Sequence, residues 1–316
     1  MKTNQAWKKQ AIELRPGTVI TGKWHQNKYV IQKKLGAGAV GTVYLAKKQN
    51  GLQVALKISE QAASLTIEVN VLKSLQQVRG NRLGPSLFDV DDWKSPLGKT
   101  FSFYVMEYVN GTSLLSFTRT RGKEWIGVFM LQLLEDLERL HQTGWIFGDL
   151  KTDNLLITTR PVKIRWVDVG GTTQQGRAIK EYTEFYDRGY WGMGTRKAEP
   201  RYDLFSFAMI FIEAAIQGRF ERGSNPRQTL FHKLDSVKAL KPYRALLKKA
   251  LTGKYSSALE MKRELKQTMY GMQNQTRKSR RRARANKKQK QSLPQLSDTA
   301  GIILIAGVYY LFSLLL

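Results

Sequence analysis

The spacing of apolar and polar positions divides the chain into a strand-rich first third and a helix-rich remainder. Residues 1–28 are polar and basic, with one strand predicted around Thr18 to Trp24. Tyr29 to Lys34 alternates with the period of two of a half-buried strand. Thr42 to Ala46 is β-branched and apolar, and another strand runs from Leu52 to Lys57. Val71, Leu72 and Leu75 recur at helical spacing and predict a helix over Ser64 to Gln77. Two more strands are predicted near Pro85 to Asp89 and Phe101 to Met106. Met106-Glu107-Tyr108-Val109-Asn110-Gly111 then breaks into polar, glycine-containing chain, which suits a linker between lobes. Trp125 to His141 carries Ile126, Phe129, Met130, Leu133, Leu134, Leu137 and Leu140 on one face and reads as the main helix of a second lobe. Residues 169–200 hold six glycines and little periodicity, a long loop of the kind that is usually functional. An apolar helix over Tyr202 to Gln217 and weaker ones over 236–251 and 257–269 complete the pattern. The expectation is an α+β, bilobal fold, with a small β-rich lobe to about residue 106 and a larger helical lobe from about residue 112.

Candidate chemistry concentrates at Gly148-Asp149-Leu150-Lys151-Thr152-Asp153-Asn154, between apolar runs. Asp149 can accept the proton of an attacking hydroxyl, and Lys151 can neutralise charge on a moving phosphoryl group. Asn154 offers a side-chain carbonyl to a magnesium ion, and Asp168, after a short strand over Ile164 to Val167, supplies an anionic ligand. Upstream, Gly36-Ala37-Gly38-Ala39-Val40-Gly41 lies between two predicted strands. The glycines therefore form a hairpin tip whose backbone can lie close over phosphates, unlike the glycine-to-helix turn of dinucleotide-binding folds. Val54-Ala55-Leu56-Lys57 ends an apolar strand, and a lysine directed inward there needs an anion. Glu68 on the following helix is a partner that would hold Lys57 against the α- and β-phosphates.

In this order and at these separations the motifs resemble the eukaryotic-like (Hanks-type) Ser/Thr protein kinases of bacteria, from about Tyr29 to Leu265. The Trp-Ile-Phe-Gly-Asp-Leu-Lys core and the Asp-Val-Gly-Gly turn are similar, more narrowly, to the YabT-type membrane-anchored kinases of spore-forming bacilli. The resemblance implies ATP and Mg²⁺ as cofactors and protein hydroxyls as acceptors. It implies nucleotide contacts from Gly36, Gly38, Gly41, Val43, Ala55, Lys57 and Glu68, and from the backbone of Glu107 and Val109. It gives metal ligation to Asn154 and Asp168, catalysis to Asp149 and Lys151, a bridge between those two to Thr195, and an anchoring role to Asp203. Lys151 favours the Ser/Thr class. Thr172, Thr173 and Thr183 are hydroxyls open to autophosphorylation.

Three positions depart from the family pattern. His-Arg-Asp reads Phe147-Gly148-Asp149, so the arginine that receives a loop phosphate is missing. Asp-Phe-Gly reads Asp168-Val169-Gly170, with Phe147 gaining volume where Val169 loses it. The arginine that partners the Ala-Pro-Glu glutamate is absent, so Glu199 is expected to pair differently. Two alternatives remain open on sequence: a small-molecule phosphotransferase of the aminoglycoside-kinase type, which shares Gly148-Asp149, and a pseudokinase scaffold.

Charge and the termini add partners. The chain has 316 residues, no cysteine and a net charge of +27. Residues 270–316 contribute +8 of this, leaving +19 on residues 1–269, a surface that favours polyanions. The absence of cysteine excludes disulfides and fits a reducing, cytosolic setting. The organisation expected is an N-terminal extension over 1–28, a kinase domain over 29–269, a basic linker over 270–298 and a transmembrane helix over 299–316. Residues 300–316 are uncharged and, as a helix, reach ~25 Å, at the short end for a bilayer span. Arg277, Lys278, Arg280, Arg281, Arg282, Arg284, Lys287, Lys288 and Lys290 precede it, a flank that keeps the catalytic domain in the cytoplasm of a single-pass membrane protein. The same residues suit non-specific DNA phosphates or anionic lipid, and the YabT-type resemblance favours DNA.

Overall fold

Alternation of side chains along the first strands decides the architecture of the N-terminal lobe. In a computed structural model of the chain, residues 12–38, 40–78, 82–275 and 277–279 are described. β1 (Val19–Thr21), β2 (Lys28–Ala37), β3 (Thr42–Lys48) and β4 (Gln53–Ser59) precede helix α1 (Ala62–Gln76), and β5 (Leu87–Lys94) and β6 (Thr100–Glu107) follow it. They form one antiparallel sheet in the order β1-β2-β3-β4-β6-β5. Tyr29, Ile31, Val54, Leu56, Ile58 and Phe103 share one buried cluster, covered by Ile12 and Leu14. With a period of two, Ala55 and Lys57 take the opposite face. The helix α1 packs over β5 and β6 and buries Leu65, Val69, Leu72 and Leu75 together with Glu68.

The second lobe is built on helices. β7 (Thr112–Ser113), α2 (Leu114–Arg121) and α3 (Trp125–Gln142) lead into β8 (Trp145–Ile146), β9 (Leu155–Thr159), β10 (Val162–Trp166) and β11 (Thr173–Gln174). Small sheets pair β10-β9-β7 and β11-β8. α4 (Pro200–Ile216) begins with proline in its first turn and is buried at every residue from Tyr202 to Ala215, so it runs through the lobe's interior. α5 (Pro226–Ser236), a 3₁₀ turn over Lys238–Tyr243 and α6 (Arg244–Leu251) follow. Described residues up to Leu265 form one compact unit and those from Lys266 another.

Most predicted elements are present, with informative shifts. The strand expected near Pro85 to Asp89 begins at Leu87 and runs to Lys94: Pro85 lacks an N–H, and the buried Asp89 and Asp91 broke the apolar pattern. The helix expected over 236–251 is divided, because Pro242 lies inside the 3₁₀ turn and α6 starts only at Arg244. α2 and α5 were not expected. Among the described residues no helix is long and apolar enough to cross a membrane. The predicted span over 299–316 and the basic residues Arg280, Arg281, Arg282, Arg284, Lys287, Lys288 and Lys290 lie outside the described residues. Arg277 and Lys278 are helical and exposed.

The strand expected in the N-terminal extension is β1, and the turn after it is clasped by the acids of β5. Asp91 accepts from the backbone N–H of Trp24 (2.9 Å) and His25 (2.8 Å). Asp89 accepts from the Tyr29 hydroxyl (2.6 Å) and the Asn27 amide (2.9 Å), and His25 Nδ1 lies 2.6 Å from it. The bond to Asp89 and the charge of that residue raise the His25 pKa above its usual 6.5. Burial works against the Asp89 carboxylate, but the bonds from Tyr29, Asn27 and His25 outweigh it and lower its pKa. The stabilisation from His25 is therefore fully present below pH 6.5 and is lost as pH rises through the elevated folded-state value. His25→Gln is expected to flatten the fall in urea midpoint as pH rises above 6.5. An identical fall in wild type and variant would place that pH dependence elsewhere.

Candidate active site

β4 carries Lys57 on the face turned toward α1. Its register sets Lys57 opposite Val43 of β3 and Tyr104 of β6, and Ala55 opposite Leu45 and Met106. Lys57 Nζ donates to both carboxylate oxygens of Glu68, at 2.9 and 2.7 Å, and lies 3.7 Å from Asp168 Oδ1. The Tyr104 hydroxyl adds a bond to Glu68 at 2.8 Å. Burial is the largest influence on Lys57 and opposes its charge; Asp168 and Glu68 outweigh it and raise its pKa. The same burial pushes Glu68 up, against the pull of Lys57. The expected Lys57–Glu68 pair is thus formed, and Asp168 is drawn to it.

The glycine-rich hairpin tip divides its glycines between two causes. A Cβ at Gly41 would lie 2.4 Å from the Ile58 carbonyl oxygen, so the close approach of β4 requires glycine there. A Cβ at Gly36 or Gly38 would meet nothing within 4 Å. The tip closes by a bond from Gly38 N–H to the Gly41 carbonyl at 2.9 Å. Packing thus accounts for Gly41 but leaves open space at Gly36 and Gly38, as a tip lying over a ligand requires. At the other edge, Glu107 N–H donates to Ser86 O (2.8 Å) and its carboxylate pairs with Arg165 at 2.9 Å. The Arg165 pairing holds the Glu107 carboxyl below its ordinary range although burial opposes this. The Glu107 N–H is therefore committed to Ser86, and Val109 is buried.

Asp203, fully buried on α4, fixes the loop that carries Asp149. Its carboxylate accepts from Phe147 N–H (2.8 Å) and Gly148 N–H (3.0 Å), with His141 Nε2 at 2.9 Å. Gly148 has φ +80, and a Cβ there would lie 2.4 Å from Gly171 O. The missing arginine therefore has a steric cause: two loops meet backbone to backbone at this point. Phe147 is buried edge-to-face on Trp166 (5.0 Å, 81°), and Val169 lies with Leu72 and Leu75 around Gly84. Asn154 donates Nδ2 to the Asp149 carbonyl at 3.0 Å, which leaves its Oδ1 for a cation, and Asp168 Oδ1 accepts from Gly170 N–H at 2.9 Å.

The threonine bridge differs from expectation. Asp149 pairs with Lys151. The residue joining them is Thr183, whose hydroxyl donates to Asp149 Oδ1 at 2.9 Å and lies 3.3 Å from Lys151 Nζ. Thr195, expected in that position, instead offers its carbonyl to Arg188 Nε at 2.6 Å. Thr183 precedes a 3₁₀ turn over Glu184–Tyr186, and the Tyr186 hydroxyl joins Thr152 (2.8 Å) and Glu213. This places Thr183 against the loop. Thr172 is 5% exposed, and Thr173, half-buried in β11, donates to Gly171 O at 3.1 Å.

Several contributors carried no sequence pattern. Asp187, fully buried, accepts from Arg196 Nε (2.8 Å), the Tyr202 hydroxyl (2.9 Å) and the N–H groups of Gly189 (3.1 Å) and Tyr190 (2.8 Å). Glu199 pairs with Arg188 at 2.6 Å, the different partner that was expected. Arg219 joins Glu213 (3.1 Å) to Asp153 (2.8 Å). Glu181, exposed as a residue, has its pKa raised by burial of the carboxyl and by Asp168 and Asp149, against Lys57 and Lys151, so it faces the same charges.

The family model for the protein kinase domain matches residues 29–291. The chain is 52% identical over 263 residues to the serine/threonine-protein kinase YabT of Bacillus subtilis, covering 83% of this chain and 78% of that protein. It is 28% identical over 220 residues to cyclin-dependent kinase G-2 of Oryza sativa subsp. indica, covering 65% of this chain and 29% of that one. To the cell division control protein 2 homolog D of Antirrhinum majus it is 28% identical over 228 residues, covering 65% and 70%.

Gly148 gives a direct test of the loop geometry. Gly148→Ala forces a side chain into a left-handed backbone and onto Gly171 O. It should cost at least about 1–3 kcal/mol in a denaturation experiment. Gly36→Ala, with open space around it, should cost well under that.

Proposed function

The chain belongs to the protein kinase family and is an ATP-dependent serine/threonine kinase, and from that premise we propose residue roles for the transfer step and a place for it in the cell. The observation that carries the reading is the contact of Asp149, Lys151 and Thr183, formed beside the Lys57–Glu68–Asp168 cluster. Gly36, Gly38 and Gly41 would cover the phosphates, with Val43 and Ala55 against the base and the backbone of Glu107 and Val109 at its edge. Lys57, held by Glu68, would orient the α- and β-phosphates.

The donor set fits a magnesium ion held by few protein ligands: one half-exposed carboxylate, Asp168, and the Asn154 carbonyl, with phosphate oxygens completing the shell. When bound, the ion neutralises charge that develops on the phosphate oxygens. Asp149 accepts the proton of the substrate hydroxyl as its oxygen bonds to the γ-phosphorus and the bond to ADP breaks. Lys151 balances the charge, and Thr183 keeps Asp149 and Lys151 in register. The protein acts by positioning and electrostatics.

Asp149→Asn is expected to lower transfer from labelled ATP to casein by at least ~100-fold with little change in stability; Lys57→Met should lower it as much and also destabilise the fold, because Glu68 is left buried without its cation. Thr183→Val should lower it more than Thr195→Val. Near-normal transfer by a folded Asp149→Asn protein would sink the assignment of that residue.

The cellular proposal rests on the tail. Residues 300–316 are uncharged and support a single C-terminal span, and the nine Lys/Arg from Arg277 to Lys290 favour a cytoplasmic kinase domain. The basic segment has no aromatic residue between Thr276 and Thr299, which favours non-specific binding to DNA phosphates over sequence readout. The +19 on residues 1–269, which membrane topology does not require, adds to it. Neutralising Arg280, Arg281, Arg282 and Arg284 in the detergent-solubilised chain should flatten the slope of log affinity against log salt by up to ~4 units. An unchanged slope and affinity would reassign the segment to lipid or topology.

A further inference from the structure

Two stretches of chain border the Asp149–Lys151 pair. One starts at Thr183, whose hydroxyl bonds Asp149, and continues to Tyr190 and Trp191. The other is the loop after α4, whose Arg219 reaches Asp153, two residues past Lys151. Phe185 packs on Trp191 (6.2 Å between ring centres) and on Phe220 (5.2 Å), and Trp191 packs on Phe220 (5.6 Å), so the loop is fastened to the segment. The loop and the helix after it are cationic: residues 219–233 hold three Arg, one Lys and one Glu.

The two arginines of that loop differ in how their charge is met. Arg219 donates to the exposed Asp153 at 2.8 Å and to the buried Glu213 at 3.1 Å, and lies against the Tyr186 ring (5.3 Å). Both acids beside the Asp149 loop are thus neutralised from within the chain, and neither is left to attract a cation on a substrate. Arg222 is half-buried, and its guanidinium lies 5.2 Å from the centre of the Tyr190 ring. Among the described residues it forms no ion pair or hydrogen bond, and its Nε is buried without an acceptor. Glu184 and Glu221, exposed acids of the same two stretches, do not pair with it. A guanidinium partly removed from water and left without an anion is unfavourable, so an incoming carboxylate gains there.

We propose that Arg222 selects protein substrates that carry an aspartate or glutamate near the acceptor serine or threonine. The inference rests on the roles proposed for Asp149 and Thr183, because those place the acceptor hydroxyl beside this loop. One guanidinium balances one carboxylate, and its N–H fork matches the two oxygens. A lysine or arginine on the substrate is repelled at the same place, since Arg219 already holds the acids that would receive it. The aromatic packing of Phe220 on Phe185 and Trp191 keeps Arg222 in a set relation to Thr183, so the acid is read at a defined distance from the acceptor.

The test uses the full chain in detergent at saturating Mg-ATP. Peptides share one neutral sequence around a single serine, with Glu, Gln or Lys placed in turn at each flanking position, and kcat/KM is measured for each. The expected result is a position where Glu raises kcat/KM over Gln by at least ~5-fold, mainly through KM, and where Lys lowers it, the scale of one charge-assisted contact partly screened by solvent. Arg222→Ala should abolish that preference, and Arg222→Glu should invert it in favour of Lys. Each ratio is taken within one variant, so a loss of activity common to all peptides cancels. The absence of any position at which Glu is favoured, or an acidic preference unchanged by Arg222→Ala and Arg222→Glu, overturns the proposal. Transfer to the Gln peptide reports the roles given to Asp149 and Thr183, and the Glu-to-Gln ratio reports Arg222, so the two readings fail separately.

Discussion

Asp203 is a carboxylate with no access to water, and the site depends on how its charge is met. It sits on α4, a helix buried from Tyr202 to Ala215. An isolated ion there would be strongly disfavoured. Two backbone N–H groups, from Phe147 and Gly148, and the ring of His141 supply the partners. Those bonds fix the backbone one residue before Asp149. They also hold Gly148 in a left-handed conformation that a side chain could not share with Gly171. The Gly170-Gly171 turn beyond Asp168 is therefore seated against the Asp149 loop by backbone contact, and the two acidic residues that would handle the proton and the metal keep a set relation.

Charge then carries the arrangement outward in both directions. Toward the sheet, Lys57 is held between Glu68 and Asp168, and Arg165 between Glu107 and the Gly84 carbonyl, so elements of the two lobes share ion pairs. Along the segment after Asp168, Asp187 gathers Arg196, Tyr202 and two N–H groups, while Arg188 binds Glu199 and the Thr195 carbonyl. Breaking such buried pairs by removing one member is costly, because the other is left as an unpaired charge. The segment that places Thr183 on Asp149 is ordered by its own carboxylates and guanidinium groups. Gly148 stands where the family pattern has a phosphate-receiving arginine, and the segment here is held by its own acids and guanidinium groups.

The strands of the first lobe, β10, α1, α3 and α4 were legible in the sequence because their apolar residues recur at periods of 2 or 3.6, a property of a few consecutive residues; the short β7, β8, β9 and β11 were not. So were the glycine hairpin, Lys57 with Glu68, and the Asp149, Lys151, Asn154 and Asp168 set, because each lies in a short motif whose spacing is imposed by local backbone geometry. The tertiary structure alone decided the rest. Thr183 rather than Thr195 reaches Asp149 because a polar, aperiodic segment is folded by Asp187, Arg188 and Arg196, whose partners are chosen by packing and not by spacing. The extension of β5 from Asp89 to Lys94 hid behind Asp89 and Asp91, acids that are buried because Trp24, His25, Asn27 and Tyr29 return from 60 or more residues away to bond them. Periodicity records which side a residue faces; the identity of a buried charge's partner is set by three-dimensional proximity, which no local window of sequence contains.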